Sequence, residues 1–282
     1  MSTDSSGISF TAHYTGEVWL RQGWSDPALS TPQGRLFYQA ARPLEMAARW
    51  LTGSNNELLL LQRHAIIDYW LHQALQLNPD LQVVELACGL SPRGQSFIRQ
   101  YPEMTYLEAD LPEMAFRKLK RLEAMGVQAK RHRVAVCNIL QTEGEYSLAA
   151  LAKRELQADK PVLCITEGLV NYFTLPVISR FWQSLAQMLS TFPQGRYLTD
   201  LYPDFSWHPH LRWVRPLKNI LAWATEAEVS LHFADEQQIR QHMRSLGFAD
   251  CQVHVPESYY GWLEDLPILP VPSLVRVVDC SL

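Results

Sequence analysis

The chain has 282 residues, of which 47% are apolar and 19% charged, with a net charge of −4. That length and balance fit one large α/β domain with elaborations and exclude a disordered or fibrous chain. The acidic total speaks against a general electrostatic grip on nucleic acid, and no apolar run reaches the ~18 residues a membrane span needs.

The N-terminus lacks a basic stretch followed by an apolar run, so no signal peptide is expected and the location read from sequence is cytoplasmic. Cys88, Cys137, Cys164, Cys251 and Cys280 are widely spaced and odd in number. They read as reduced, buried thiols.

Residues 8–80 read as a helical, aromatic N-terminal cap. Within it, 58–75 predicts a helix with Leu61, Ala65, Tyr69 and Leu75 on one stripe and Arg63, His64 and Asp68 elsewhere. Asn78-Pro79-Asp80 breaks the chain, and the pattern then alternates. Strands are predicted at 81–88, 105–109, 134–137, 162–166 and 196–201, with helices at 92–100, 112–125, 147–156 and 175–190. Residues 202–232 carry Trp207, Trp213 and Trp223 and read as an aromatic insertion after the fifth strand. A helix at 235–246 and strands at 251–255 and 274–279 complete seven strands. Short apolar strands joined by helices imply a doubly wound, mostly parallel sheet, with 81–282 as its domain and 1–80 as the cap.

In such a sheet, ligands bind beyond the carboxyl ends of the strands, where strand order reverses. The first strand ends in Glu85-Leu86-Ala87-Cys88-Gly89, whose small residues at 87–89 let the backbone turn tightly beside a ligand. Twenty-five residues after Glu85, the second strand ends in Asp110, whose carboxylate suits the two hydroxyls of a ribose. The third strand ends in Asn138, with an amide for an adenine edge. The dinucleotide fingerprint G-x-G-x-x-G is absent, so an NAD enzyme is a poor fit.

The runs ELACGLSPRG (85–94), YLEADLP (106–112) and TEGLVNYFT (166–174) together resemble the leucine carboxyl methyltransferase family, which includes bacterial O-methyltransferases of polyketide biosynthesis. The resemblance implies a Rossmann-like class I methyltransferase fold and S-adenosylmethionine as cofactor. By this resemblance Arg63 meets the cofactor's methionine carboxylate; from sequence alone it reads as a solvated helix arginine. Asp110, with Leu111 beside it, matches the ribose acid, and also reads as a helix cap. Asn138 and Ile139 fall at the adenine, where the family usually has an aspartate. Glu167 and Gly168 match the residues facing the methionine part, and Tyr172 a tyrosine near methyl transfer. Ala87 replaces a usual glycine and His64 a usual threonine.

The expected activity is O-methylation of a carboxylate or hydroxyl on a small aromatic or acyl, polyketide-like molecule. Trp19, Trp24, Tyr202, Phe205, Trp207 and Trp213 are candidates to wall its pocket, with Tyr202 and His208 placed near the chemistry; His210 and Asp200 are further candidates for a base. No metal site is expected: His208 and His210 lack a third ligand beyond Asp204. Neither nucleic acid nor membrane is an expected partner. The cations at 117, 118, 120, 121, 130, 131 and 133 read as a solvated helix face rather than an RNA patch. Two other readings stand: a protein C-terminal carboxyl methyltransferase, and a catalytically silent relative.

Overall fold

A computed structural model describes residues 6–127, 130–204 and 230–282. The described elements begin with three helices: α1 (Ser6–Arg21), α2 (Pro32–Thr52) and α3 (Asn56–Leu77). Alternating strands and helices follow: β1 (Gln82–Leu86), α4 (Arg93–Gln100), β2 (Thr105–Asp110), α5 (Pro112–Ala124) and β3 (His132–Val136). The chain continues through α6 (Leu148–Glu155), β4 (Val162–Thr166), α7 (Leu175–Leu189) and β5 (Gly195–Leu201). It closes with α8 (Glu236–Ser245), β6 (Asp250–His254) and β7 (Arg276–Ser281). The seven strands form one sheet in the order β3-β2-β1-β4-β5-β7-β6, parallel except for β7, which runs antiparallel to both neighbours. The predicted doubly wound sheet is therefore the fold.

Side chains alternate across the sheet, so neighbours such as Val83 and Val84 enter different cores. Val84, Leu107 and Cys164 pack with Ile178, Phe181, Trp182 and Leu185 of α7 and Ile239 of α8. Val83, Tyr106, Leu163 and Leu198 pack with Ile66, Ile67 and Leu71 of α3 and Phe97 of α4. Because helices cover both faces, β1 and β4 are buried along their whole length; the apolar run of β4 is continuous rather than alternating, and that of β1 is broken only by Glu85.

Helix α3 departs from the single apolar stripe predicted for it. Residues 59–67 are all buried, Arg63 and His64 among them, because α3 lies between the sheet on one side and α1 on the other. The basic run also departs from expectation. Lys118 is fully buried against Glu108 at 2.9 Å and donates to Ser91 O. Arg117 binds His13 Nε2 at 2.6 Å, Arg121 the Ser30 carbonyl at 2.7 Å, and Arg133 the Glu155 carboxylate at 2.8 Å. These cations clamp α5 and β3 to their surroundings instead of facing solvent as a row. All five cysteines are free and buried.

Candidate functional site

Strand order reverses between β1 and β4, since β2 and β3 extend one way and β5 the other. The carboxyl ends of β1, β2, β4 and β5 converge there, as the fold requires of a ligand crevice. After β1, Ala87 and Gly89 both turn left-handed, each with φ of 52°. Only glycine enters this region freely, so Ala87 holds strain of about 1–2 kcal/mol. Ala87→Gly is therefore expected to gain roughly 0.5–1 kcal/mol after the extra entropy of an unfolded glycine is offset. A urea melt measures this; a loss of stability would remove the strain argument.

The Asp110 carboxylate accepts from Gly89 N at 2.8 Å on one oxygen and from Leu111 N at 2.7 Å on the other. These two bonds tie the end of β2 to the glycine turn. Each oxygen keeps a second lone pair, enough for the two hydroxyls of a ribose. Burial pushes the carboxyl up, against the pull of the two N–H groups. At the end of β3, Asn138 Oδ1 accepts from Leu140 N at 3.0 Å. That oxygen keeps one lone pair, and with the amide hydrogens it is what Asn138 has for a base. Ile139 beside it is partly buried against the α7 core.

Glu167, at the end of β4, is the hub of a buried ionic network. Oε1 accepts from Arg63 Nε at 3.0 Å, and Oε2 lies 2.6 Å from Arg93 Nη2 and 2.9 Å from His64 Nδ1. Burial alone would raise its pKa, but His64, Arg93 and Arg63 hold it well below the carboxylate range. Arg63 also reaches Asp200, at the end of β5, at 3.3 Å, while Asp200 Oδ1 accepts from Gly168 N at 2.6 Å. Burial lifts the Asp200 carboxyl. Gly168 has φ of 68°, and a Cβ there would come within 2.6 Å of the Arg63 guanidinium. The space that the missing side chain of Gly168 leaves is thus occupied by Arg63.

A depressed pKa fixes the sign of the acid response. Glu167 stabilises the fold above its ordinary value of 4.5, and that contribution fades as pH falls through the lower folded value. Below that ordinary value, wild type should lose urea resistance more steeply than Glu167→Gln; parallel curves would show that Glu167 carries no such coupling.

Arg93 was not singled out from sequence. Its side chain is fully buried and forms 2.5 Å pairs with Asp68 and Glu85, besides Glu167. Glu85 therefore points into the α3–α4 side, bound by Arg93 and by the Tyr106 hydroxyl at 2.8 Å, and not into the turn where sequence placed it. The available signal was an arginine opening the helix that follows a strand that itself carries an acid.

Helix α1 lies over the glycine turn. A Cβ on Gly89 would meet the Ala12 methyl at 3.1 Å, and one on Gly16 would meet Leu90 at 3.3 Å. Trp19 and Trp24 cover His64, with ring centroids at 4.9 and 5.4 Å. Tyr172 bonds the Thr11 side chain, and Tyr202 the Arg63 guanidinium; burial pushes both phenols up. The structure thus gathers Arg63, Ala87, Gly89, Asp110, Glu167, Gly168, Tyr172 and Tyr202 around one edge. Phe205, Trp207, His208, His210 and Trp213 lie outside the described residues. Among the described residues, no group of three His, Cys, Asp or Glu is placed to hold a metal.

The donor set fits S-adenosylmethionine. Asp110 has spare acceptors for its ribose, and the Arg63 guanidinium is a planar donor of the kind that meets a carboxylate. Asp68, Glu85, Glu167 and Asp200 outnumber Arg63 and Arg93, a surplus that suits a cationic sulfonium and ammonium.

Comparison with known proteins places residues 26–185 on the leucine carboxyl methyltransferase family model. None of the curated proteins matches. Among solved structures, a duf574 family protein from Streptomyces avermitilis shares 11% identity at a TM-score of 0.59, covering 96% of each chain. A possible exported protein from Bordetella parapertussis shares 17% at 0.55, over 96% of this chain and 78% of that one. The S-adenosylmethionine-dependent methyltransferase SibL shares 15% at 0.50, over 75% and 56%. At such identities these likenesses show the fold, and the chain spans about half the length of several structures it matches.

Proposed function

Because this chain belongs to the leucine carboxyl methyltransferase family, a family of S-adenosylmethionine-dependent methyltransferases, we propose that it transfers a methyl group to oxygen on a small aromatic or acyl molecule. The observation that carries the proposal is the pairing of Asp110 with the glycine turn after β1 and of Arg63 with Glu167 after β4, on the two sides of the strand-order reversal. When bound, S-adenosylmethionine supplies a methyl group already activated on a sulfonium.

The chain's residues then bind and orient. Asp110 receives the ribose hydroxyls, Asn138 donates to the base, with Leu111 and Ile139 as apolar neighbours, and Arg63 meets the methionine carboxylate. Arg93 and His64 keep Glu167 ionised beside the cationic end. Helix α1, Trp19 and Trp24 exclude water above His64.

Among the described residues the acids at this edge, Glu167 and Asp200, are engaged by arginine, and the phenols of Tyr172 and Tyr202 are raised. None is a ready general base. This favours an acceptor that arrives ionised, a carboxylate, over an alcohol that must lose a proton. The cover formed by α1 and its tryptophans favours a small molecule over a protein C-terminus.

Methyl-labelled cofactor, offered with a cell extract and with a panel of aryl and acyl carboxylates and their alcohol counterparts, tests the proposal. Label is expected in small-molecule esters. Label in protein would replace the small acceptor with a polypeptide one, and label in ethers alone would overturn the carboxylate. Cofactor binding without turnover on any acceptor would support the silent reading.

A further inference from the structure

Helix α2 covers α1 and presents a second face to solvent. Its inner side sets Phe37, Tyr38 and Ala41 against Tyr14 and Val18. Its outer side exposes Leu36 at 63%, Met46 at 63%, Trp50 at 84% and Leu51 at 51%. At 100° per residue, Leu36, Pro43 and Trp50 fall on one line along the helix. Arg35, Arg42 and Arg49 repeat at the same spacing and form a parallel row about 100° away, and all three are exposed. The one acid of the helix, Glu45, is on the inner side, accepting from Glu57 N. Pro270 abuts Gly53 at the C-terminal end of α2, in a loop that adds Ile268 at 66% exposure. That loop also carries exposed Glu264 and Asp265, so the arginine row sets the sign of the helix face itself.

We propose that this face of α2 docks on an anionic lipid surface, with Leu36, Met46 and Trp50 entering the acyl boundary and the arginine row meeting the headgroups. A basic amphipathic helix with a tryptophan on its apolar side has the chemistry of an interfacial helix. Its charge complements anionic headgroups in a chain whose total is −4. A two-fold pairing of α2 with the α2 of a second copy would set one arginine row beside the other, since the helix face itself carries no acid. No described helix is long and apolar enough to cross a membrane, so docking lies in the interface plane. The proposal departs from the sequence expectation of no membrane partner, which weighed only spans. It also sets α2, and through it α1 above the glycine turn, at the surface from which an acyl acceptor would arrive.

Flotation of the full chain with vesicles of phosphatidylcholine alone, and of phosphatidylcholine with phosphatidylglycerol, tests this. Binding is expected only to the anionic vesicles, falling as salt rises. Arg35→Gln/Arg42→Gln/Arg49→Gln is expected to weaken it on the order of a hundredfold, at about a kcal/mol per cation. Met46→Ser/Trp50→Ser is expected to weaken it while leaving the circular dichroism and cofactor affinity unchanged. No flotation at low salt, or equal flotation by the triple variant, overturns the proposal. A dimer that Trp50→Ser dissolves would give the face to a second copy and overturn it as well.

Discussion

Arg93→Gln is expected to destabilise the fold by roughly 3–5 kcal/mol, the range for breaking a buried ion pair from one side. Arg93 is the shared cation of Asp68, Glu85 and Glu167, with contacts of 2.5, 2.5 and 2.6 Å. Glutamine can donate to one of these carboxylates and leaves the others, of which Glu85 and Glu167 are buried, without the guanidinium. Glu85 is the weak point, because burial already pushes its carboxyl up and Arg93 is the main charge opposing that. Arg93→Lys keeps the charge but loses the planar fork, so a smaller loss is expected. Urea denaturation at neutral pH measures both. A Gln variant within about 1 kcal/mol of wild type would mean that the network relaxes around its loss and that Arg93 does not organise it.

Asp110→Ala is expected to weaken S-adenosylhomocysteine binding by a hundredfold or more. Two hydrogen bonds from ribose hydroxyls to a carboxylate contribute roughly 1.5–3 kcal/mol each, and a hundredfold is about 2.7 kcal/mol. The same carboxylate ties Gly89 N and Leu111 N, so the variant also loosens the turn itself. Asp110→Asn separates the two effects. It keeps an acceptor for one backbone N–H while losing the charge, and should hold the fold better than it holds the ligand. Calorimetric titration beside a thermal melt reads both quantities. Affinity within threefold of wild type in the Ala variant would remove Asp110 from the ribose and leave it as a backbone clamp.

The parts of the site visible in the sequence are those that sit at strand ends. Asp110, Asn138 and Glu167 each close an apolar run, and a strand's carboxyl end is a position that local sequence marks. The small residues at 87–89 announce a tight turn for the same reason. Arg63 was placed by resemblance; its local pattern reads as a solvated helix residue. Its burial depends on α3 facing the ends of β4 and β5, where Glu167 and Asp200 meet it, and that contact leaves no periodic trace in the helix.

Sequence by itself determined the seven strands, the helices between them and the order in which polar residues reach the carboxyl edge, because periodicity and turn chemistry are local. It placed β4 at its observed limits and the neighbouring strands within two or three residues. Only the tertiary structure decided which charges meet. Arg93 joins Asp68, Glu85 and Glu167 across three separate elements, and Gly168 makes room for Arg63. Within the basic run at 117–133, Lys118 became an internal clamp and Arg117, Arg121 and Arg133 tie down neighbouring segments, while Lys120 and Lys130 stay exposed. Helix α2 was left with a basic, apolar outer face. Partners such as these are far apart in the chain. Their pairing is set by the packing of helices on the two faces of the sheet, where burial makes an unpaired charge costly, and no local pattern records which cation will supply the pair.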